Sequence, residues 1–202
     1  MLFASQEFKF PQDWSRDGKF LLFVSARLSG LDDLWALPFD GPNGPPGKPF
    51  PVLRTEFRER RARFSPDGQW IAYSSDESGR DEVYVRRFTP DGGSSRGGGE
   101  AIVSRNGGTW PMWRNDGKEL FYVGSDGSLM TVEVGMKPAF HAGSPKLLFA
   151  LPRNLENFAV DMAPDGKRLL AVAPESPASA TAAAPTPTTI VVNWEELLAR
   201  GH

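Results

Sequence analysis

The chain of 202 residues has no cysteine, only two histidines and almost no excess of charge of either sign. The absence of cysteine excludes disulfide bonds, thiolate metal sites and a cysteine nucleophile. Neither His141 nor His202 has other ligand-type residues grouped near it in the sequence, so we expect no metal site and no cofactor. With 23 basic and 25 acidic residues, the chain has no global field that would attract nucleic acid.

Long hydrophobic runs are also missing. The apolar runs are only a few residues long, so none would span a bilayer, and we expect no direct membrane insertion. The opening residues, "MLFASQEFKF", lack the basic start and long apolar core of a signal peptide. The sequence itself therefore assigns no compartment. Aromatic residues are plentiful, with 14 Phe, 6 Trp and 3 Tyr, and the fold must depend on their packing.

One local pattern recurs four times: an Asp-Gly pair followed one residue later by an apolar run. The aspartates are 50, 49 and 49 residues apart. A period near fifty residues with strand-like content is typical of a four-stranded propeller blade. The sequence therefore predicts an all-β fold, a β-propeller with four blades of about 49 residues. The turn pairs are Asp17 and Gly18, Asp67 and Gly68, Asp116 and Gly117, and Asp165 and Gly166.

Because such repeats bury their faces only against one another, we expect residues 1–202 to form a single domain. The predicted blades are 8–54, 57–104, 108–151 and 156–194. Residues 173–189 are rich in Pro, Ala, Ser and Thr, and we expect them to be a disordered insertion in blade four. Two arrangements stay open: a closed four-bladed ring completed by residues 1–5, or a partial arc of a larger propeller whose open edges would favour self-association.

The Asp-Gly pairs predict a tight hairpin between the first two strands of each blade, with both residues at positive φ. The bulky residue just before each turn should fill the gap between neighbouring blades; these residues are Trp14, Phe64, Trp113 and Met162. Equivalent aspartates in successive blades lie far apart on a ring, so they do not form the close carboxylate pair of a glycosidase.

Several segments resemble the C-terminal TolB-like, WD-type propeller of bacterial eukaryotic-like serine/threonine protein kinases. They are "DWSRDGKFLLFVS", "ARFSPDGQWIAYSSDESGRDEVYVRRF", "GGTWPMWRNDGKELFYVGSDGSLMTVEV" and the terminal "VVNWEELL", and the resemblance covers nearly the whole chain. In that family a kinase domain, and usually a membrane-spanning helix, precedes the propeller. The resemblance therefore implies an extracytoplasmic sensing or docking module, here as the C-terminal part of a receptor-type kinase.

No catalytic role is expected. The glycine-rich nucleotide loop, the His-Arg-Asp loop and the Asp-Phe-Gly motif of kinases do not occur in the sequence. "GSSRG" at 93–97 matches a nucleophile elbow, but Ser95 lies in a glycine-rich loop rather than between a strand and a helix. Two alternatives remain: the propeller of a prolyl-oligopeptidase-like peptidase, which requires an α/β-hydrolase domain, and a stand-alone periplasmic scaffold of the TolB type, which requires an export signal.

Binding at the mouth of the central channel is the favoured hypothesis, with a protein, a peptide or a small anionic ligand as the partner. The arginines there would receive a carboxylate or phosphate through their planar forks. Alternatively, they would pair with Glu56, Glu59, Asp13 and Asp161 and join the blades. The candidate residues are Asp13, Arg58, Arg60, Arg61, Arg63, Trp110 and Asp161.

Overall fold

The computed structural model describes residues 7–41, 44–90, 101–137, 139–151, 160–163, 165–171 and 190–192. These residues form sixteen β-strands in four antiparallel sheets, one for each sequence repeat. Within the same residues there is no helix of the length and apolar character needed to cross a membrane.

The first two sheets each contain four strands in chain order. Blade one consists of β1 (Phe8–Trp14), β2 (Phe20–Ala26), β3 (Asp32–Pro38) and β4 (Phe50–Leu53). Blade two consists of β5 (Glu59–Phe64), β6 (Trp70–Ser75), β7 (Glu82–Arg87) and β8 (Ala101–Ile102).

The third sheet has an additional strand, because β11 pairs with both β12 and β13 along its outer edge. Blade three consists of β9 (Gly108–Trp113), β10 (Glu119–Gly124), β11 (Ser128–Gly135), β12 (His141–Ala142) and β13 (Lys146–Ala150). Blade four consists of β14 (Val160–Met162), β15 (Arg168–Ala171) and β16 (Ile190–Val192).

Three hydrophobic clusters hold successive blades together, and each one takes residues from two adjacent sheets. Strand β6 shows how this works, since all six of its residues are buried. Ile71 and Tyr73 belong to the cluster shared with blade one, whereas Trp70 and Ala72 belong to the cluster shared with blade three. Because side chains alternate between the two faces of a strand, a strand that is buried on both sides must be apolar on both.

The first hairpin of each blade differs from the predicted two-residue turn. In blade two, Gly68 N donates to Ser65 O and Ser65 N donates to Trp70 O, both at 2.8 Å. Of the Asp-Gly pair only Gly68 has a positive φ, of 68°, so the expectation that both residues adopt positive φ was wrong. Asp67 instead accepts hydrogen bonds from Ser65 Oγ at 2.6 Å and Gln69 N at 3.0 Å. The hydrogen bond from Ser65 N to Trp70 O encloses four residues, 66–69. The Asp67 side chain accepts hydrogen bonds from polar groups of this turn.

The bulky residues before these turns do not all behave as expected. Phe64 and Met162 are buried in the clusters between blades. Trp14 is 49% exposed and contacts Phe39 of its own blade, with ring centroids 4.8 Å apart. For Trp14 the prediction was wrong, because its side chain belongs to none of the three clusters between the blades.

The choice between a closed ring and a partial arc stays open. Among the strands that the structure describes, no pairing joins blade four to blade one. Residues 1–5, which would complete the closed ring, lie outside the described residues, as do the predicted insertion at 173–189 and Ser95.

Replacing Gly68 by alanine should reduce the free energy of unfolding by about 1 kcal/mol, because an L side chain is disfavoured in the left-handed region. No heavy atom lies within 4 Å of the position of the new Cβ, so the cost would come from the backbone alone. Urea unfolding measures it. Gly143→Ala is the matched control, since that glycine has no positive φ and its new Cβ would meet nothing closer than 3.4 Å. Equal stability of the two variants would contradict this explanation of the turn.

Candidate ligand-binding site

The first strands of the four sheets, β1, β5, β9 and β14, converge, and consecutive members of this set contact one another across the blade boundaries. Phe64 N in β5 donates to Asp13 Oδ2 in β1 at 2.8 Å. Trp113 Nε1 in β9 donates to the carbonyl oxygen of Arg63 in β5 at 3.2 Å. These hydrogen bonds align the ends of three innermost strands.

A cavity of about 260 Å³ lies where the four innermost strands end and the first hairpin turns begin. We call it the axial pocket. Its walls include the apolar side chains of Met112 and Trp113. Three of its charged groups, Asp13, Arg63 and Asp161, occupy the strand position in the other three blades that is equivalent to Met112. Asn115 also lines the pocket.

Arg63 stands between carboxylates of two different blades. Its Nη1 is 3.9 Å from Asp13 Oδ1, and its Nη2 is 3.9 Å from Asp161 Oδ1. Nη1 also donates to the carbonyl oxygen of Gln12 at 2.8 Å. Ion pairs of this length with partly exposed partners contribute little stability, so the pairing mainly orients the guanidinium.

The two carboxylates of the axial pocket differ in environment. Asp161 is 67% exposed at its side chain, whereas Asp13 is 27% exposed. Burial raises the pKa of the Asp13 carboxyl above its ordinary value, while the backbone N–H of Phe64 and the charge of Arg63 oppose that change. Arg16 also lines the pocket. Its described lining therefore carries two cations and two anions, and no excess of positive charge.

Two of the predicted site residues lie elsewhere. The backbone N–H and the Nε of Arg58 donate to the Asp76 carboxylate at 2.9 and 2.8 Å. Arg60 pairs with Asp32 at 3.7 Å and with Asp81 at 3.5 Å. Both arginines are therefore at the opposite end of β5 from the axial pocket. Both arginines form ion pairs, as the alternative interpretation predicted, but their partners are not the predicted Glu56 and Glu59.

Two further predicted residues, Arg61 and Trp110, contact each other rather than the axial pocket. The Arg61 guanidinium lies over the Trp110 ring, 4.4 Å from its centroid, and also donates to the hydroxyl of Thr109. Each residue lies at an irregularity in its strand, and each has a φ of 56°. The structure thus separates the predicted cluster into the axial pocket, the Arg61–Trp110 pair and the paired Arg58 and Arg60.

The lining residues that sequence reasoning missed include Arg16 and Asn115. Both immediately precede the aspartate of an Asp-Gly pair. A signal for them was present, because this position varies between repeats while the Asp-Gly pair does not. Residues that vary at the edge of a regular repeat are natural candidates for ligand contacts.

No protein-family model matches the sequence, and no curated protein matches it. A TolB-type protein of Agrobacterium tumefaciens superposes with a TM-score of 0.54 at 20% identity, over 72% of this chain and 50% of that one. For the periplasmic gluconolactonase PpgL of Pseudomonas aeruginosa the TM-score is 0.55 at 15% identity, over 80% and 49% of the two chains. For a puromycin-hydrolyzing peptidase of Mycobacterium tuberculosis it is 0.57 at 14% identity, over 94% and 27%.

The fold is that of TolB-like β-propellers. The prediction of an all-β propeller is therefore confirmed. The chain spans about half the length of the TolB-type and gluconolactonase structures. At identities of 20% or less the likeness shows the fold alone.

Glu59 is a buried acid at the start of β5, with 2% of its surface exposed. The hydroxyl of Thr55 donates to one carboxylate oxygen, and the other oxygen has no hydrogen-bond partner among the described residues. Burial raises the pKa of Glu59 to about 7; the charge of Asp33 adds to the rise, while the Thr55 hydrogen bond and Arg27 oppose it. The folded protein therefore favours the neutral form of this acid.

Glu59 should make the protein less stable as the pH rises. Its folded pKa of about 7 exceeds the ordinary value of 4.5, so stability is lost progressively between these two pH values. Glu59→Gln should remove this dependence and raise the free energy of unfolding by about 3 kcal/mol above the folded pKa. Urea unfolding across this pH range measures the difference, with Glu77→Gln, on an exposed turn, as the control. A pH profile for Glu59→Gln that is parallel to that of the parent would contradict the assignment.

Proposed function

We propose that this TolB-like propeller is a non-catalytic binding module, and that it forms the sensor part of a receptor-type bacterial kinase. The axial pocket is the observation that carries the binding role, because it is a defined cavity where all four described blades contribute residues. The kinase association rests on the sequence resemblance of the blades. The ligand would be recognised on a rigid face of the propeller rather than chemically changed.

The size and lining of the axial pocket favour a residue-sized group of a peptide or protein. Its volume of about 260 Å³ is below the range of roughly 300–1,000 Å³ that holds drug-sized ligands. Met112 and Trp113 offer apolar contact, while Arg63, Asp13 and Asp161 offer charges of both signs. A peptide presents apolar side chains, N–H donors and carbonyl acceptors together, so it fits this lining better than a small anion does.

The polar side chains that line the axial pocket favour a binding role over a catalytic one. The described lining contains no histidine, and its two carboxylates flank the same guanidinium. Ser65, the hydroxyl-bearing residue there, donates to Asp67 at 2.6 Å and accepts from Trp70 N at 2.9 Å within its turn. An activated nucleophile requires a neighbouring general base within hydrogen-bond reach, and Ser65 already uses its hydroxyl in the turn.

Binding can be followed at the indole N–H of Trp113, which lines the pocket and donates to Arg63. We expect at least one class of N-acetyl amino acid amide, acidic, basic, aromatic or aliphatic, to move this NMR signal saturably. Asn115→Phe should abolish the effect by filling the pocket, whereas Glu77→Phe, on an exposed turn of blade two, should leave it intact. Binding by no class, or binding that Asn115→Phe does not weaken, would contradict the proposed site.

Turnover assays test the non-catalytic part of the proposal. Gluconolactone and short peptide amides represent the substrate classes named for the lactonase and peptidase that share this fold. We expect rates equal to those of buffer alone. Hydrolysis that co-purifies with the chain and is lost in a Ser95→Ala variant would refute a purely binding role.

A further inference from the structure

The Arg61–Trp110 pair is a second feature of the innermost strands, distinct from the axial pocket. Arg61 lies two residues before Arg63 in β5, and Trp110 lies two residues before Met112 in β9. At the rise of an extended strand, the pair is about 7 Å further along the same strands than the pocket. Both features would therefore be within reach of one extended ligand.

The backbone of the pair is unusual for its residue types. Arg61 and Trp110 both have a φ of 56°, in the left-handed region that bulky residues rarely occupy. The register irregularities of β5 and β9 fall at these positions and turn the two side chains toward each other across the blade boundary. Strained backbone of this kind concentrates at ligand-binding positions.

The charge of Arg61 is the second observation. Arg58, Arg60 and Arg63 each have a carboxylate within 4.0 Å, but within the described part of the chain no ion pair includes Arg61. Its guanidinium has only the Thr109 hydroxyl and the face of Trp110 as partners there. The Arg61 side chain is only partly buried, and none of its nitrogens is among the described buried polar atoms that lack a partner.

The charged residues near Arg61 leave its positive charge without a balancing anion. Burial lowers the pKa of the Arg61 guanidinium, the positive charge of Arg60 lowers it further, and the negative charge of Asp81 opposes this change. Asp81 is already 3.5 Å from Arg60. An arginine stays protonated in such a setting, so it carries an unbalanced charge in a partly buried position. One singly charged anion would balance it.

We propose that the Arg61–Trp110 pair binds a carboxylate. Stacking on Trp110 fixes the plane of the guanidinium, and Nη1 donates to Thr109, so Nε and Nη2 remain to donate two parallel hydrogen bonds to a carboxylate. The inference deepens the proposed function and rests on it: an extended peptide with one group in the axial pocket would place an acidic residue about two positions away at Arg61. A phosphate dianion fits less well, because Arg60, the cation whose charge acts on Arg61, is already paired with two carboxylates.

The test is an NMR titration that follows two indole signals in the same sample. Trp110 reports on the pair and Trp113 on the pocket, and Trp110→Phe identifies the Trp110 signal. The probes are N-acetyl-glutamate amide, N-acetyl-alanine and inorganic phosphate. The first carries a side-chain carboxylate and the second a terminal one, so together they distinguish the two sources. We expect one or both carboxylates to move the Trp110 signal saturably, and phosphate to do so more weakly.

The variants separate charge from geometry. Arg61→Gln should weaken carboxylate binding by about tenfold or more, and Arg61→Lys should do nearly the same because it keeps the charge but loses the fork and the stack. Arg87→Gln is the matched control, since Arg87 is an exposed arginine on β7 of the same blade. The affinity of the Arg87→Gln variant for the carboxylate should stay within about twofold of that of the parent protein.

A purely structural role predicts different results. Arg61→Gly relieves the positive φ, so we expect an unchanged or higher Tm together with lost carboxylate binding. A lower Tm with an unchanged Trp110 titration would assign the pair to blade packing and overturn the inference. The inference would also be overturned if no carboxylate moved the Trp110 signal, or if carboxylates moved this signal equally in the parent and in Arg61→Gln. If Trp113 responds and Trp110 does not, the axial pocket stands and this inference fails.

Discussion

Burial of apolar surface between neighbouring blades is the constraint on which the rest of the structure depends. The middle strands β6 and β10 are buried on both faces, and among the described residues no helix packs against the sheets. The hydrophobic effect acts in proportion to the area removed from water, so a single blade gains little without its neighbours. Stacking the blades brings their first strands together, and this convergence creates the axial pocket.

The convergence of the first strands also determines the partners of the charged side chains on these strands. Arg58 and Arg60, at one end of β5, are neutralised by carboxylates of blades one and two. Arg63, at the other end, is shared between Asp13 and Asp161. Arg61, between them at the irregularity of the strand, faces an indole instead of a carboxylate. The basic segment 58–63 therefore supplies both ion pairs that stabilise the fold and side chains that are available to bind a ligand.

The repeat made the architecture predictable, because a fixed period with strand-like content limits the fold to few solutions. Three of the seven candidate residues, Asp13, Arg63 and Asp161, lie together in the structure because they occupy equivalent strand positions. The partners of Arg58 and Arg60 were missed because Asp76, Asp32 and Asp81 come from other strands and turns. The contact of Arg61 with Trp110 could not be predicted, because a bulge breaks the alternation on which strand reasoning relies. The turn type was missed because Ser65 and Asp67 bond locally and replace the two-residue geometry.

The most direct test of the account is whether the first hairpin turns of blades one and three meet at one pocket. The absence of native cysteine allows a clean experiment, in which Arg16→Cys and Asn115→Cys are combined and treated with a short bismaleimide linker. The account predicts an efficient internal cross-link in the folded chain, and little when the first cysteine is moved to Leu28, in the exposed turn that joins β2 and β3. Equal cross-linking of the two pairs, or none between positions 16 and 115, would contradict the convergence of the innermost strands.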